Sequence, residues 1–282
     1  LKKIFLMTIK NSPLPLDERS KKLRHIVLRM MKGADRGHLG SSFSLIEILR
    51  VLYDSVLNYK PSNPTWRERD RCILSKGHGC LALYAMLAEK KFFSDDELDK
   101  FCKEDGILGG HPDKRKIPGV EASTGALGHG LSIGIGMALS ARLDKSSRHS
   151  YVITGDGEIN EGSIWEGALS ASKHRLDNLT VIVDYNKYQS YGATSEVANL
   201  EPLAKKWEAF GFAVEEVDGH DVEALSKLFQ RVPHSAGRPL AVICHTIKGR
   251  GIHYAENNPA WHHQSRIGRE GFQKLSQALD SD

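Results

Sequence analysis

The stretch YVITGDGEINEGSIWEGAL, Tyr151 to Leu169, carries a β-branched and aromatic run into Gly155-Asp156-Gly157 and then restarts as a helix-like segment. Asp156 directly follows the strand predicted at 151–154, so its carboxylate is expected at the carboxyl edge of a sheet. The flanking glycines let a ligand approach the backbone and leave N–H groups for anion contact. The next predicted strand, Leu179 to Asp184, runs into DYNKYQ and brings Asn186 to the same edge about thirty residues on. Asp156, Asn186 and a backbone carbonyl after Asn186 make three oxygen ligands on one side of a hard divalent cation, with other positions left for water and phosphate oxygens. An isolated GDG is more often a tight turn; its pairing with Asn186 at successive strand ends favours a metal site.

Working outward, RCILSKGHG (Arg71 to Gly79) reads as a buried strand, a glycine loop and the start of a helix through Leu81, Leu83 and Leu87. YVIT, LTVIVD, FAVEEV and LAVICH are further strands, each separated from the next by a helix. This alternation predicts an α/β fold: a doubly wound, mostly parallel sheet with helices on both faces and ligands at the carboxyl ends of its strands. A first helix is expected from Asp17 to near Gly33, with Leu23, Ile26, Val27, Met30 and Met31 on one face. Ser44 with Glu47, Ser94 with Glu97 and Ser163 with Glu166 fit capping boxes.

The chain has 282 residues, 40% hydrophobic and 26% charged, which suits one domain with a proper core. The expected division is an N-terminal extension, 1–16, with Met7 a candidate start, and a single domain, 17–282. No apolar run spans a bilayer. The net charge of +4 is mild and its cations are dispersed, which argues against nucleic acid as a partner. Cys72, Cys80, Cys102 and Cys244 show no regular spacing and read as buried thiols of a cytoplasmic protein. GHGLSIG (Gly128 to Gly134) mimics a dinucleotide loop, but EASTGAL before it is not a strand and no suitably placed ribose-binding acid follows.

GDG with its downstream Asn resembles the thiamine-diphosphate fingerprint of transketolase-like enzymes. DRGHLGSSFSLIEIL, LSKGHGCLALYAML, GGHPD, STGALGHGLSIGIGMALSARL, GDGEINEGSIWEG and KGRGIHYAENNPAWHH each resemble a transketolase segment, in the family's order, from about residue 17 to 265. The resemblance implies that Asp156, Asn186 and the Tyr188 carbonyl bind Mg2+ or Ca2+, and that His78 and His262, helped by the Gly157 N–H, contact the cofactor diphosphate. It implies that Gly125 and Leu127 position the cofactor rings. His38, His78, His111 and His262 would line the substrate channel and serve as the catalytic set. Glu161, grouped with the cofactor contacts, and Glu166 match glutamates at the contact between paired subunits.

The same resemblance implies transfer of a two-carbon ketol unit from a ketose (phosphate) donor to an aldehyde acceptor. The glutamate that activates the cofactor belongs in this family to a second, pyrimidine-binding domain, and the sequence stops at Asp282. The expectation is therefore a split enzyme, in which a separate subunit carries the pyrimidine-binding and C-terminal domains and the assembly is a dimer of heterodimers. A fragment of a longer protein is the duller explanation. A pyruvate-using, deoxyxylulose-phosphate-synthase-like half is the rival enzyme; GGHPD and ENNPAWHH favour ketol transfer. A non-catalytic regulatory or scaffold subunit that keeps the fold is the rival outside catalysis.

Overall fold

The computed structural model describes residues 14–232 and 236–281. Most of the expected extension, 1–13, lies outside the described residues; Leu16 packs into the core and the Leu14 carbonyl accepts from Arg250. The elements begin with α1 (Glu18–Ala34), β1 (Arg36–Gly37), α2 (Leu39–Phe43), α3 (Ile46–Val51), β2 (Arg71–Leu74), α4 (Cys80–Glu89), α5 (His129–Leu143) and β3 (Ser150–Gly155). They continue with α6 (Gly162–Lys173), β4 (Leu179–Tyr185), α7 (Thr194–Val197), α8 (Leu203–Ala209), β5 (Ala213–Asp218), α9 (Val222–Phe229), β6 (Leu240–His245), β7 (Gln264–Ser265) and α10 (Gly268–Asp280). Short 3-10 turns precede α4 and follow β3.

The five-stranded sheet has the order β2-β3-β4-β6-β5 with every pairing parallel. Side chains alternate across a strand, so each central strand feeds two cores. Tyr151, Ile153, Ile182, Val242 and Cys244 join the face that also buries Leu23, Val27, Leu49 and Leu83. Val152, Val181, Val183, Ala241 and Ile243 join the opposite face with Leu131, Ile135, Ile164, Ala168 and Trp207. Burial on both faces is why these strands read as continuous apolar runs. No helix of the described residues is long and apolar enough to cross a membrane.

Helix α1 begins where expected: the Asp17 carboxylate caps it by accepting from Ser20 N at 2.8 Å. Its C-cap is Asp35, in the left-handed region at φ 50°, just past the expected end. Three local expectations are overturned. Ser44 does not cap α3; its hydroxyl donates to Asp184, while Glu47 is consumed by a bidentate ion pair with Arg24, at 2.6 and 3.0 Å. Ser94 does start a turn, accepting from Asp96 N at 3.4 Å, but the turn is 3-10 and Glu97 bonds Lys100 and Ile107 N instead of closing a box. Ser163 donates to the Gly128 carbonyl, so α6 has no side-chain cap. In each case a tertiary partner outcompetes the local bond. Cys102 is also exposed, whereas Cys72, Cys80 and Cys244 are buried.

Candidate functional site

Asp156, Asn186 and the two buried lysines follow strands that end at one edge of the sheet. β3 runs into Asp156, β4 into Asn186, β2 into Lys76 and His78, and β6 into Thr246 and Lys248. A parallel sheet places the carboxyl ends of neighbouring strands side by side, so sequence separation is cancelled by pairing: Gly155 lies opposite Asp184, and Asp184 opposite Cys244.

Asp156 is 2% exposed. One carboxylate oxygen accepts from Gly157 N at 2.7 Å and the other from Lys187 N. Burial and the neighbouring Asp184 charge push its carboxyl up to about 7, against the pull of Lys76 and the two N–H groups. Asp184 goes the other way. Burial opposes its ionisation, but the Lys76 ammonium beside it, with hydroxyls of Ser44 and Thr246, holds it below the usual range. Asp184 therefore already has its counter-charge, whereas Asp156 is held by two backbone N–H groups and makes no ion pair among the described residues.

Asn186 turns its Oδ1 to Tyr188 N at 3.1 Å and its amide to Asp184 at 3.4 Å, which orients the loop. The Tyr188 carbonyl accepts weakly from Lys248 Nζ, at 3.4 Å, and Gln189 O at 3.0 Å. Among the described residues no cluster of three His, Cys, Asp or Glu could hold a metal. The donor set is instead one carboxylate, one amide oxygen and one carbonyl, which suits a hard cation that takes its remaining ligands from water or a ligand's oxygens. A second feature fits an anionic ligand beside it. Gln189 packs so closely on Gly157 that a Cβ there would lie 2.9 Å from Gln189 Cγ, and its Nε2 is buried without a partner. A buried donor left unpaired is costly unless a ligand completes it. The residues present thus fit a cation and a diphosphate.

Four histidines face this edge. The His38 ring lies 5.4 Å from both His78 and His262, which are 5.5 Å from each other, and 6.5 Å from His111. Burial, with the charges of neighbouring rings and Lys248, depresses His38 to about 3 and His262 to about 4; burial does the same to His78, well below its usual range, and to His111. They are neutral imidazoles at neutral pH. Lys248 donates to His262 Nδ1 at 2.9 Å, so the His262 proton sits on Nε2, toward Ser190 Oγ at 3.1 Å.

Gly125 and His111 are in contact: a Cβ on Gly125 would lie 3.2 Å from the His111 ring. Gly77 approaches the Thr124–Gly125 backbone just as closely, at 2.8 Å from a built Cβ, which seats the His78 loop on the Gly125 loop. Leu127 is half-buried and its carbonyl lies 3.0 Å from His129 Nδ1. The Gly157 N–H is spent on the Asp156 carboxylate. Glu161 and Glu166 are exposed, at the start of α6 and within it, and no hydrogen bond joins them to the histidines.

Five polar residues escaped the sequence reading: Lys76, Glu158, Asp184, Lys248 and His263. Lys76 and Lys248 stand inside the family-like motifs, but a lysine next to glycine reads as a solvated charge; here both are 1% exposed. Glu158 holds three loops together, accepting from Ser75 Oγ, from Gly128 N at 2.9 Å and from Gly155 N at 3.1 Å. The His263 ring meets His38 edge-on, 4.6 Å between centroids, and helps line a cavity of about 290 Å³ with His38, His78 and His111.

Residues 17–282 match the family described as transketolase, thiamine diphosphate binding domain. An apulose-4-phosphate transketolase subunit of Actinobacillus succinogenes is 44% identical over 266 residues, 94% of this chain and 96% of that one. A 6-deoxy-6-sulfo-D-fructose transketolase subunit of Clostridium sp. is 40% identical over 88% of this chain and 90% of its own. The crystal structure of transketolase from Campylobacter jejuni superposes with a TM-score of 0.86 at 30% identity, covering 93% of this chain and 42% of that longer one. The chain belongs to the transketolase family, as its thiamine-diphosphate-binding domain, and is a transketolase-type transferase component.

Proposed function

We propose that this chain is the diphosphate-binding subunit of a cytoplasmic transketolase, moving a two-carbon ketol unit from a ketose or ketose phosphate to an aldehyde. Its bacterial relatives of similar length are named as single subunits of their transketolases, which implies a second chain for them. Here too a separate subunit would supply the pyrimidine-binding and C-terminal domains, in a dimer of heterodimers. The observation that carries the reading is the meeting of Asp156, Asn186 and the Tyr188 carbonyl with four neutral histidines at one sheet edge.

In this reading Asp156, Asn186 and Tyr188 O hold Mg2+ or Ca2+, and His78, His262 and Gln189 Nε2 donate to diphosphate oxygens. When bound there, thiamine diphosphate supplies the carbon nucleophile and electron sink for cleaving the bond next to a ketose carbonyl. Gly125 and Leu127 would form the backbone shelf for its rings, and a side chain at 125 would press on the His111 ring, 3.2 Å from its Cβ. His38 and His111, neutral and adjacent, orient sugar hydroxyls and accept or return their protons. Lys248 fixes the tautomer of His262 and tethers the 188–189 loop. Glu161 and Glu166, exposed, are available to the partner chain.

The test is turnover of a ketose donor with thiamine diphosphate and Mg2+, by this chain by itself and then mixed with a second chain carrying the pyrimidine-binding domain. Activity in the mixture only is expected. Metal-dependent cofactor binding with no turnover in the mixture would overturn the catalytic reading in favour of a regulatory role.

A further inference from the structure

The cavity of about 290 Å³ has an inner wall of histidines and an outer wall that the proposed chemistry leaves unused. Arg36, Cys102 and His263 form that outer part. The short antiparallel ladder of β1 and β7 builds it: Arg36 lies opposite Ser265 and Gly37 opposite Gln264. Extending the register by one step sets His38 against His263, whose rings are 4.6 Å apart. Residues two apart on an extended segment share a face, so Arg36 stands on the same side as His38, one step nearer solvent. Both Arg36 and His263 are exposed.

The charge balance of this rim is one-sided. No carboxylate is among the residues that line the cavity. Asp35, the nearest in sequence, is engaged elsewhere, accepting from Gly268 N at 3.0 Å. The Arg36 charge is felt at both Cys102 and His263, which line the same cavity with it. A guanidinium fork beside an imidazole, with no competing carboxylate in the cavity, is a match for a phosphate group.

We infer that Arg36 and His263 form an anion-recognising rim that grips the phosphate at the end of the sugar remote from the reacting carbonyl, while His38 and His111 meet the hydroxyls deeper in the cavity. The assignment of the phosphate to a substrate rests on the transketolase reading above; the rim itself does not. It makes this chain, and not only its partner, a determinant of substrate choice.

Titration of the full chain with inorganic phosphate, followed through the His263 ring resonances by NMR, tests the rim without turnover. A saturable His263 shift is expected, weakened about tenfold or more in Arg36→Ala, as for loss of a charged hydrogen bond, and partly restored in Arg36→Lys. No His263 response, or one unchanged in Arg36→Ala, overturns the proposal. In the two-chain complex, Arg36→Ala should lower kcat/KM for a phosphorylated aldose about tenfold more than for its unphosphorylated counterpart. Equal losses on both would overturn the rim's role in specificity. A wild-type complex with no ketol transfer would refute the transketolase reading, while the phosphate titration would still decide the rim.

Discussion

Asp156 and Asp184 are neighbours on adjacent strand ends with opposite electrostatics, and the difference assigns their work. Asp184 is paired with Lys76 and belongs to the scaffold; Asp156 makes no ion pair among the described residues, and the proposed function gives it to the cation. On that assignment Asp156→Ala should abolish metal-dependent cofactor binding in calorimetry while the chain still folds, since the apolar side chains that pack both faces of the sheet are untouched; unchanged affinity would refute the assignment. His111→Ala should weaken turnover and leave cofactor affinity nearly intact, since its ring faces Gly125 and the cavity instead of Asp156. Loss of cofactor binding in that variant would move His111 from substrate to cofactor. Asp156 and Asn186 could be picked out from the sequence because they follow successive strands, and the histidines because their motifs resemble transketolase segments. Lys76, Asp184 and Lys248 could not, because a buried charge is defined by its partner, and the partner lies on another strand.

Helix α5 shows how an element is set by something outside it. Its N-terminal glycine, Gly128, has φ 82°, its N–H is held by Glu158, and its carbonyl accepts from Ser163 on α6. A Cβ at this position would lie 2.5 Å from Ser163 Oγ and 2.7 Å from Glu161 Cβ. Gly128→Ala should therefore cost about 2 kcal/mol or more in urea denaturation, from the left-handed backbone and the clash together. Adding Ser163→Ala should return part of that loss; a double variant no better than the single would mean that backbone strain and the Glu161 contact dominate. The failed capping boxes have the same origin. Ser44, Glu47 and Ser163 each had a local bond available and each makes a longer-range one, because a buried hydroxyl or carboxylate with a charged or backbone partner gains more than a solvated cap.

Across the whole molecule, buried histidines make stability depend on pH. His149, at the opposite end of β3 from Asp156, is 9% exposed, bonds Thr180 Oγ1 at 2.9 Å, and is depressed to about 4 by burial. Unfolded it would titrate near 6.5, so the unfolded chain binds the extra proton between these values. Its contribution is present above pH 6.5 and lost as pH falls to about 4, an effect of about 3 kcal/mol. Asp156 acts with the opposite sign, since a raised carboxyl favours the folded state at low pH and loses that advantage as pH rises toward 7. The wild-type profile therefore reflects partial cancellation. Denaturant titrations at pH 7, 5 and 4 should show a smaller acid loss in His149→Phe than in wild type; parallel curves would show that His149 is solvated in the folded state.

The strands, their parallel arrangement and the edge where ligands collect were legible from residues 71–79, 151–154, 179–184, 212–217 and 240–245; the order β2-β3-β4-β6-β5 came from the structure. Apolar periodicity is a local property, and burial on two faces leaves a continuous apolar signature in any such strand. Three-dimensional packing alone revealed which carboxylate keeps a cation, which histidine nitrogen holds its proton, and that Arg36 and His263 stand beside His38. Those facts depend on distances between residues as far apart as 36 and 263, and on desolvation, which exists only once the chain has folded around them.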